Sequence, residues 1–239
     1  MASSPEAGAT GTQGSGTQPT GTLGRITAAV YRVLILELLF LLTASPGIVL
    51  LVALAPDPSN APLIALSLLP VGPACAAVLF AWRASTAEEH LEPARAFWRG
   101  YRLNAVSTLR WWWLVLVIVA ILGINIGFLD RVVPPGLPLV IAGVAQAIVF
   151  VLVAVTALHA LVIGSLYNFR TRDTLRLALR LVRSSPRATI GAAALVIASS
   201  GVVAVGSEIA LFALASIVGA LVLQNAHPMT ADIEEKYIA

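Results

Sequence analysis

Six runs of apolar residues divide this chain, at about 33–55, 61–82, 111–129, 137–166, 188–205 and 208–225. None alternates strictly between apolar and polar positions as a membrane strand does, and each is long enough for a helix. A bilayer core takes roughly 20 helical residues to cross. The pattern therefore predicts an all-α membrane protein with six transmembrane helices. The boundary inside 188–225 rests on Gly206-Ser207-Glu208 alone. Gly206 can end one helix while Ser207 caps the next, with Glu208 in its first turn. If they do not, the stretch is one bent helix and the count falls to five.

The segments between the runs differ in charge. Residues 55–62 and 130–138 are short, rich in proline and nearly uncharged, whereas 83–110 and 167–187 carry eleven of the fourteen arginines. Arg25 and Arg32 precede the first run, and only Arg131 falls on the other side. Cytoplasmic loops are the ones enriched in Arg and Lys, so the N-terminus and both long segments are expected in the cytoplasm. Tyr31, Trp82, Trp111, Trp112, Trp113 and Tyr167 lie next to these arginines, as rings do that favour the headgroup layer.

Each long segment contains an amphipathic pattern. After Glu92-Pro93, a helix start, Ala94, Phe97, Trp98, Tyr101 and Ala105 share one face, with Arg95, Arg99 and Arg102 on a neighbouring one. In the second, Asp173 can cap a helix on which Arg172, Arg176, Arg180, Arg183 and Arg187 form one stripe. Leu175, Leu179 and Val182 lie on another face. A basic face beside an apolar one suits a helix lying in the membrane interface, where anionic headgroups attract each arginine by roughly 1 kcal/mol. The same faces would suit docking of a cytoplasmic or membrane partner, or recognition of a particular anionic lipid. The shared plan also suggests that runs two and three duplicate runs four and five.

Composition narrows the class. The chain is 58% hydrophobic and 11% charged, with a mean hydropathy of +0.89, whereas a soluble domain carries roughly 25% charged residues. The net charge of +3 is accounted for by arginines at membrane edges, so nucleic acid is not expected as a partner. Residues 1–24 are small and polar and predict a disordered tail; residues 227–239 form a C-terminal tail. Arg25, Arg32 and Thr43-Ala44-Ser45 could be read as a cleaved signal peptide. Glu37 interrupts that run, Pro46 would follow the cut and the run continues to Ala55, which favours a retained first span. Cys75 is the single cysteine, so no intrachain disulfide is expected and a structural thiol is the preferred reading.

No phosphate-binding loop, metal-binding helix or nucleophile elbow is present, and no catalytic residue, metal or cofactor is expected. His90, beside Glu88 and Glu89, reads as a solvated loop histidine. Asn125, Glu208, Glu37, Gln146 and His159 are polar residues within the runs, the last three being the functional candidates, since an ionisable group in a span faces protein or water. Glu37 lies five residues past Arg32, about 7 Å along a helix, and Arg83 or Arg110 could pair with it. An interhelical hydrogen bond is the preferred reading of His159. Pro46 and Gly72-Pro73 are expected to kink helices or allow close packing.

The stretches "ELLFLLTASPGIVL" (37–50), "LLPVGPACAAVLFAWR" (68–83) and "ARAFWRGYRLN" (94–104) resemble the YesL-like family of bacterial membrane proteins. Gly72, Pro73, Ala74, Phe97 and Tyr101 fall on its motif positions, and "LRLALRLVRSSPRATI" (175–190) resembles its second cytoplasmic segment. The sequence departs in having Glu37 where Asn is common, and in the long stretch between Pro46 and Gly72. The resemblance implies a multi-pass protein of the bacterial cell membrane with no activity to carry over. The family's association with carbohydrate uptake implies a helper of sugar import. Two functions follow as expectations: an accessory or scaffold component contacting a sugar-import complex, or a small-molecule transporter in its own right.

Overall fold

The computed structural model describes residues 22–55, 57–87, 92–167, 169–205 and 208–233. The expected tail before residue 22, His90, the Gly206-Ser207 boundary and the last six residues lie outside them. The described residues form α1 (Thr22–Ala53), a 3-10 turn (Pro58–Asn60), α2 (Ala61–Ser67), α3 (Val71–Ala87) and α4 (Pro93–Gly127). They continue with α5 (Leu129–Val132), α6 (Leu137–Leu166), α7 (Thr171–Ser184), α8 (Pro186–Val205), α9 (Glu208–Phe212) and α10 (Ala215–Ile233). Four of these, α1, α4, α6 and α8, are long and apolar enough to cross a membrane. A fifth crossing is available if Pro58–Ser67 and Val71–Ser85, bent by 42°, act as one span. The expected six are not reached among the described residues. The run 208–225 is divided between α9 and α10, and α10 continues into Gln224, Asn225 and His227.

α4 corrects the expectation of a separate amphipathic helix before the third span. Residues 93–127 form one helix of 35 residues, about 52 Å long at 1.5 Å per residue. Between Pro93 and Gly123 the sequence holds no proline, and its one glycine, Gly100, is buried against Phe80. Nothing there interrupts the backbone ladder. α3 and α2 run antiparallel beside α4: Gly100 meets Phe80, Gly72 meets Trp112, and Gly127 meets Pro58. At each a methyl would come within 2.8 Å of its neighbour, so glycine is what permits the approach.

The bend between α2 and α3 has an identifiable cause. Pro70 cannot donate to the helical ladder, and Leu68 departs from it at φ −82°, ψ 0°. The Leu68 carbonyl accepts from the Val71 N–H at 3.1 Å and from Trp112 Nε1 at 3.0 Å. Gly72 and Pro73 fall in the first turn of α3, so the bend lies ahead of them and Gly72 acts by letting Trp112 approach. Pro46 lies inside α1, which remains helical across it. Its neighbour Gly47 is pressed against the Ser67 carbonyl, where an added methyl would sit 1.9 Å from the oxygen.

The buried residues form two main clusters. One joins Leu36, Phe40 and Ala44 of α1 to Ala74, Ala77 and Val78 of α3 and to Ala96 and Phe97 of α4. The other joins α6 to α7, α8 and α10 through Leu161, Ile163, Ala178, Leu181, Ala188, Val222 and Met229. α7 ends at Ser185 (φ −120°, ψ 70°), immediately before Pro186, a proline that disfavours helical backbone in the residue before it.

Candidate functional site: basic faces and polar residues of the spans

On α4 the helix period puts Ala96, Phe97 and Gly100 inside the bundle and Arg95, Arg99 and Arg102 on its exposed side. Phe97, expected as a lipid or partner contact, is 0% exposed. It stacks with Tyr101 at 6.2 Å and meets Trp98 edge-on at 5.9 Å. Its ring is core. Trp98 is the exposed member of the three, and with Leu103 it borders an open depression also lined by Arg95, Arg99 and Arg102.

On α7 and the start of α8, Arg172, Arg176, Arg180, Arg183 and Arg187 are all exposed, as one stripe predicts. The packed face is rotated from the expected one. Thr174, Ala178 and Leu181 are buried, while Leu179 is 60% exposed among the arginines. The helix begins at Thr171 with Arg170 at its cap position, so Asp173 sits in the first turn, where a negative charge suits the helix dipole. Thr174 lies beside Gly164, and α7 packs along α6.

The tryptophan triplet divides its labour. Trp111 is 3% exposed in the core, Trp112 holds the Leu68 carbonyl, and Trp113, 54% exposed, is the ring available to the membrane edge. Arg131 lies over Phe128 at 4.8 Å at the opposite end of α4.

Glu37 has a partner that the sequence did not suggest. The Ser216 N–H donates to Glu37 Oε2 at 2.8 Å, with the Ala215 amide beside it. These are the first residues of α10, so the carboxylate of α1 faces a helix N-terminus, a placement worth about 0.3–2 kcal/mol. The Ser216 carbonyl accepts from Trp82 Nε1 at 3.0 Å, and Arg32 lies 5.7 Å over the Trp82 ring. Glu37 Oε1 and Ser216 Oγ, both buried, have no hydrogen-bond partner among the described residues.

His159 is 3% exposed on α6, facing the backbone at Ala178 and Ala188. Neither ring nitrogen has a well-formed hydrogen bond among the described residues. The polar residue that does join helices here is Asn225, which donates to the Ala188 carbonyl at 2.7 Å and lies against Gly191. It closes the last apolar run, and that abrupt change of polarity was the available signal. Gln146 is half-buried on the same helix as His159, thirteen residues away, or about 20 Å. Glu37 is thus held by α10, while Gln146 and His159 lie well apart along α6. Among the described residues no group of three or more His, Cys, Asp or Glu is placed to hold a metal.

Long apolar helices packed around alanine- and glycine-lined crossings, with arginines confined to their ends and short segments, define a multi-pass helical membrane protein. Within that class, residues 33–126, from α1 to the end of α4, match a family model described as "Protein of unknown function, DUF624". No curated protein and no solved structure matches the chain.

Proposed function

We propose that this protein is a non-catalytic accessory or scaffold component of the bacterial cell membrane, with its N-terminus and basic faces in the cytoplasm. The observation that supports it is the division of α4 and α7. Ala96, Phe97, Gly100, Ala178 and Leu181 pack inside the bundle, while Arg95, Arg99 and Arg102 of α4 and Arg172, Arg176, Arg180 and Arg183 of α7 are exposed. An outward basic face attracts anionic headgroups and complements an acidic partner. The link to carbohydrate uptake rests on the YesL-like resemblance, and it makes a sugar-import complex the partner to look for. A transporter would gather polar residues along one path, whereas Glu37 is held by Ser216 and Gln146 lies thirteen residues, about 20 Å, from His159 along α6.

Capture in mild detergent followed by mass spectrometry tests the reading. Wild type should retain a membrane partner, and charge reversal at Arg176, Arg180 and Arg183, or at Arg95, Arg99 and Arg102, should release it. Retention of every captured protein by both variants would remove the accessory role. Reporters fused after residues 24, 90 and 178 should face the cytoplasm and those at 58 and 134 the outside; the inverse pattern would overturn the orientation.

A further inference from the structure

α10 ends against the second arginine-rich segment. Asn225 donates to the Ala188 carbonyl at 2.7 Å, Met229 is buried in one cluster with Ala178 and Leu181 of α7, and the Thr230 carbonyl accepts from the Tyr167 hydroxyl at 3.5 Å. Tyr167 stands four residues before α7 begins and packs on Phe169. α10 itself runs three residues past Thr230, to Ile233. In the sequence Asp232, Glu234 and Glu235 bring three of the twelve acids into four positions, followed by Lys236, the one lysine. α7 carries the opposite charge. Arg172, Arg176, Arg180 and Arg183 share its exposed face, and Asp173 is the only acid on the helix. Like charges one turn apart on a helix repel each other, so this stripe gains from an acid laid over it.

We propose that the acidic segment 232–235 docks on the arginine stripe of α7 in the same chain. The end of α10 supplies the proximity, and charge supplies the attraction. Glu235 follows Thr230 by five residues, a length of chain that reaches at most about 17 Å. That span is comparable with α7, whose fourteen residues make about 21 Å. The acids are therefore tethered within a helix length of the stripe, from a point already held at Tyr167. A ligand on so short a tether is present at an effective concentration of the order of mM. The stripe is thereby guarded, because an acidic partner reaches it only by displacing a segment the chain already carries. That consequence rests on the accessory reading above; the contact itself does not.

Purified full-length protein with Tyr237 replaced by p-benzoylphenylalanine tests this, in neutral detergent and in vesicles of phosphatidylethanolamine and phosphatidylglycerol. Irradiation should cross-link residue 237 to residues 171–184 of the same chain in both settings, as mapped by mass spectrometry on the monomer. Asp232→Asn with Glu234→Gln and Glu235→Gln should lower the yield at least several-fold, as should about 0.5 M salt, which shortens the reach of charge. Arg172→Glu with Arg176→Glu should do the same, and adding Glu234→Arg and Glu235→Arg to that pair should restore the cross-link. A cross-link that ignores these charges, joins two copies or goes to α4 instead would overturn the proposal. One that forms in detergent and vanishes in vesicles would assign the stripe to lipid headgroups and overturn it as well. If the arginine variants fail to fold, the neutralised segment decides alone. The readout needs no partner. A missing cross-link therefore leaves the accessory reading standing, and failure to capture a partner leaves the cross-link standing.

Discussion

The two arginine-rich segments solve the same problem differently. In α4 the basic stretch and the apolar stretch are one uninterrupted rod of 35 residues. In α7 and α8 they are two helices, parted at Ser185-Pro186. The arginine patterns are alike, so the difference comes from the backbone. Residues 94–122 include no proline and one glycine, Gly100, on which Phe80 packs. Pro186 has no N–H to donate and turns Ser185 out of the helical region. What the contrast teaches is that helical periodicity places the exposed arginine stripe, while proline decides whether a charged segment continues its span or folds back. A contact on the arginines of α4 can therefore be transmitted along a stiff helix, whereas α7 can shift at a joint.

Core truncation gives the largest expected effect. Phe97→Ala should cost about 3–5 kcal/mol and Leu181→Ala about 2–5 kcal/mol, measured by reversible unfolding in detergent. Exposed Leu179→Ala should stay within about 0.5 kcal/mol. A Phe97 cost as small as that of Leu179 would mean the basic half of α4 is not packed as described. The joint itself comes next. Ser107→Pro should give α4 an interruption like that before α8, at about 3 kcal/mol, and should change the separation of spin labels at Arg99 and Val117. Pro186→Ala, where the chain has already left the helix, should alter stability by less than about 1 kcal/mol. Equal effects at the two positions would abolish the contrast.

Smaller changes probe what holds these rods in place. Glu37→Gln keeps an acceptor for Ser216 but removes the charge, and should cost about 0.3–2 kcal/mol. Because α10 rather than a basic segment receives this contact, the accessibility of Arg99 and Arg176 should stay unchanged in a cysteine-labelling assay. The slightest effect is expected at the far end of α4, where Asp57 caps the Pro58–Asn60 turn that packs on Gly127. The Ser59 hydroxyl and N–H hold the Asp57 carboxyl below its usual range. A depressed value stabilises the turn above the unfolded-state pKa, and that contribution is lost as pH falls through the folded one. Hydrogen exchange at residues 57–60 should therefore rise at acidic pH beyond the intrinsic rate change, and Asp57→Asn should abolish the excess.

The apolar runs revealed the class, the start of α4 at Glu92-Pro93 and the outward arginine stripe of α7, because polarity and proline act locally. Continuity of α4 was hidden because a change from charged to apolar residues at Arg110 looks like a boundary, although nothing there breaks the backbone. Burial of Phe97 and of Trp111 depends on which helix lies beside α4, and one amphipathic face cannot tell lipid from protein. Glu37 was visible as costly, yet its partner is formed by a helix start far along the chain. The division of the sixth run into α9 and α10 was equally hidden: Ala213-Leu214 carries no breaker, and the sequence offers no local reason for a break there.

The Glu37–Ser216 contact joins residues 179 positions apart, and so it has a date as well as a place. At about 5–20 residues per second, roughly 10–40 s of synthesis separate the two ends of this bond. During that interval the first helix carries its carboxylate into the bilayer with no α10 N-terminus to face it. A chain released before Ala215 would keep that uncompensated acid permanently, a chemical mark by which an unfinished copy differs from a finished one. α10 thus acts as a receipt for α1, issued only once translation has passed Ser216.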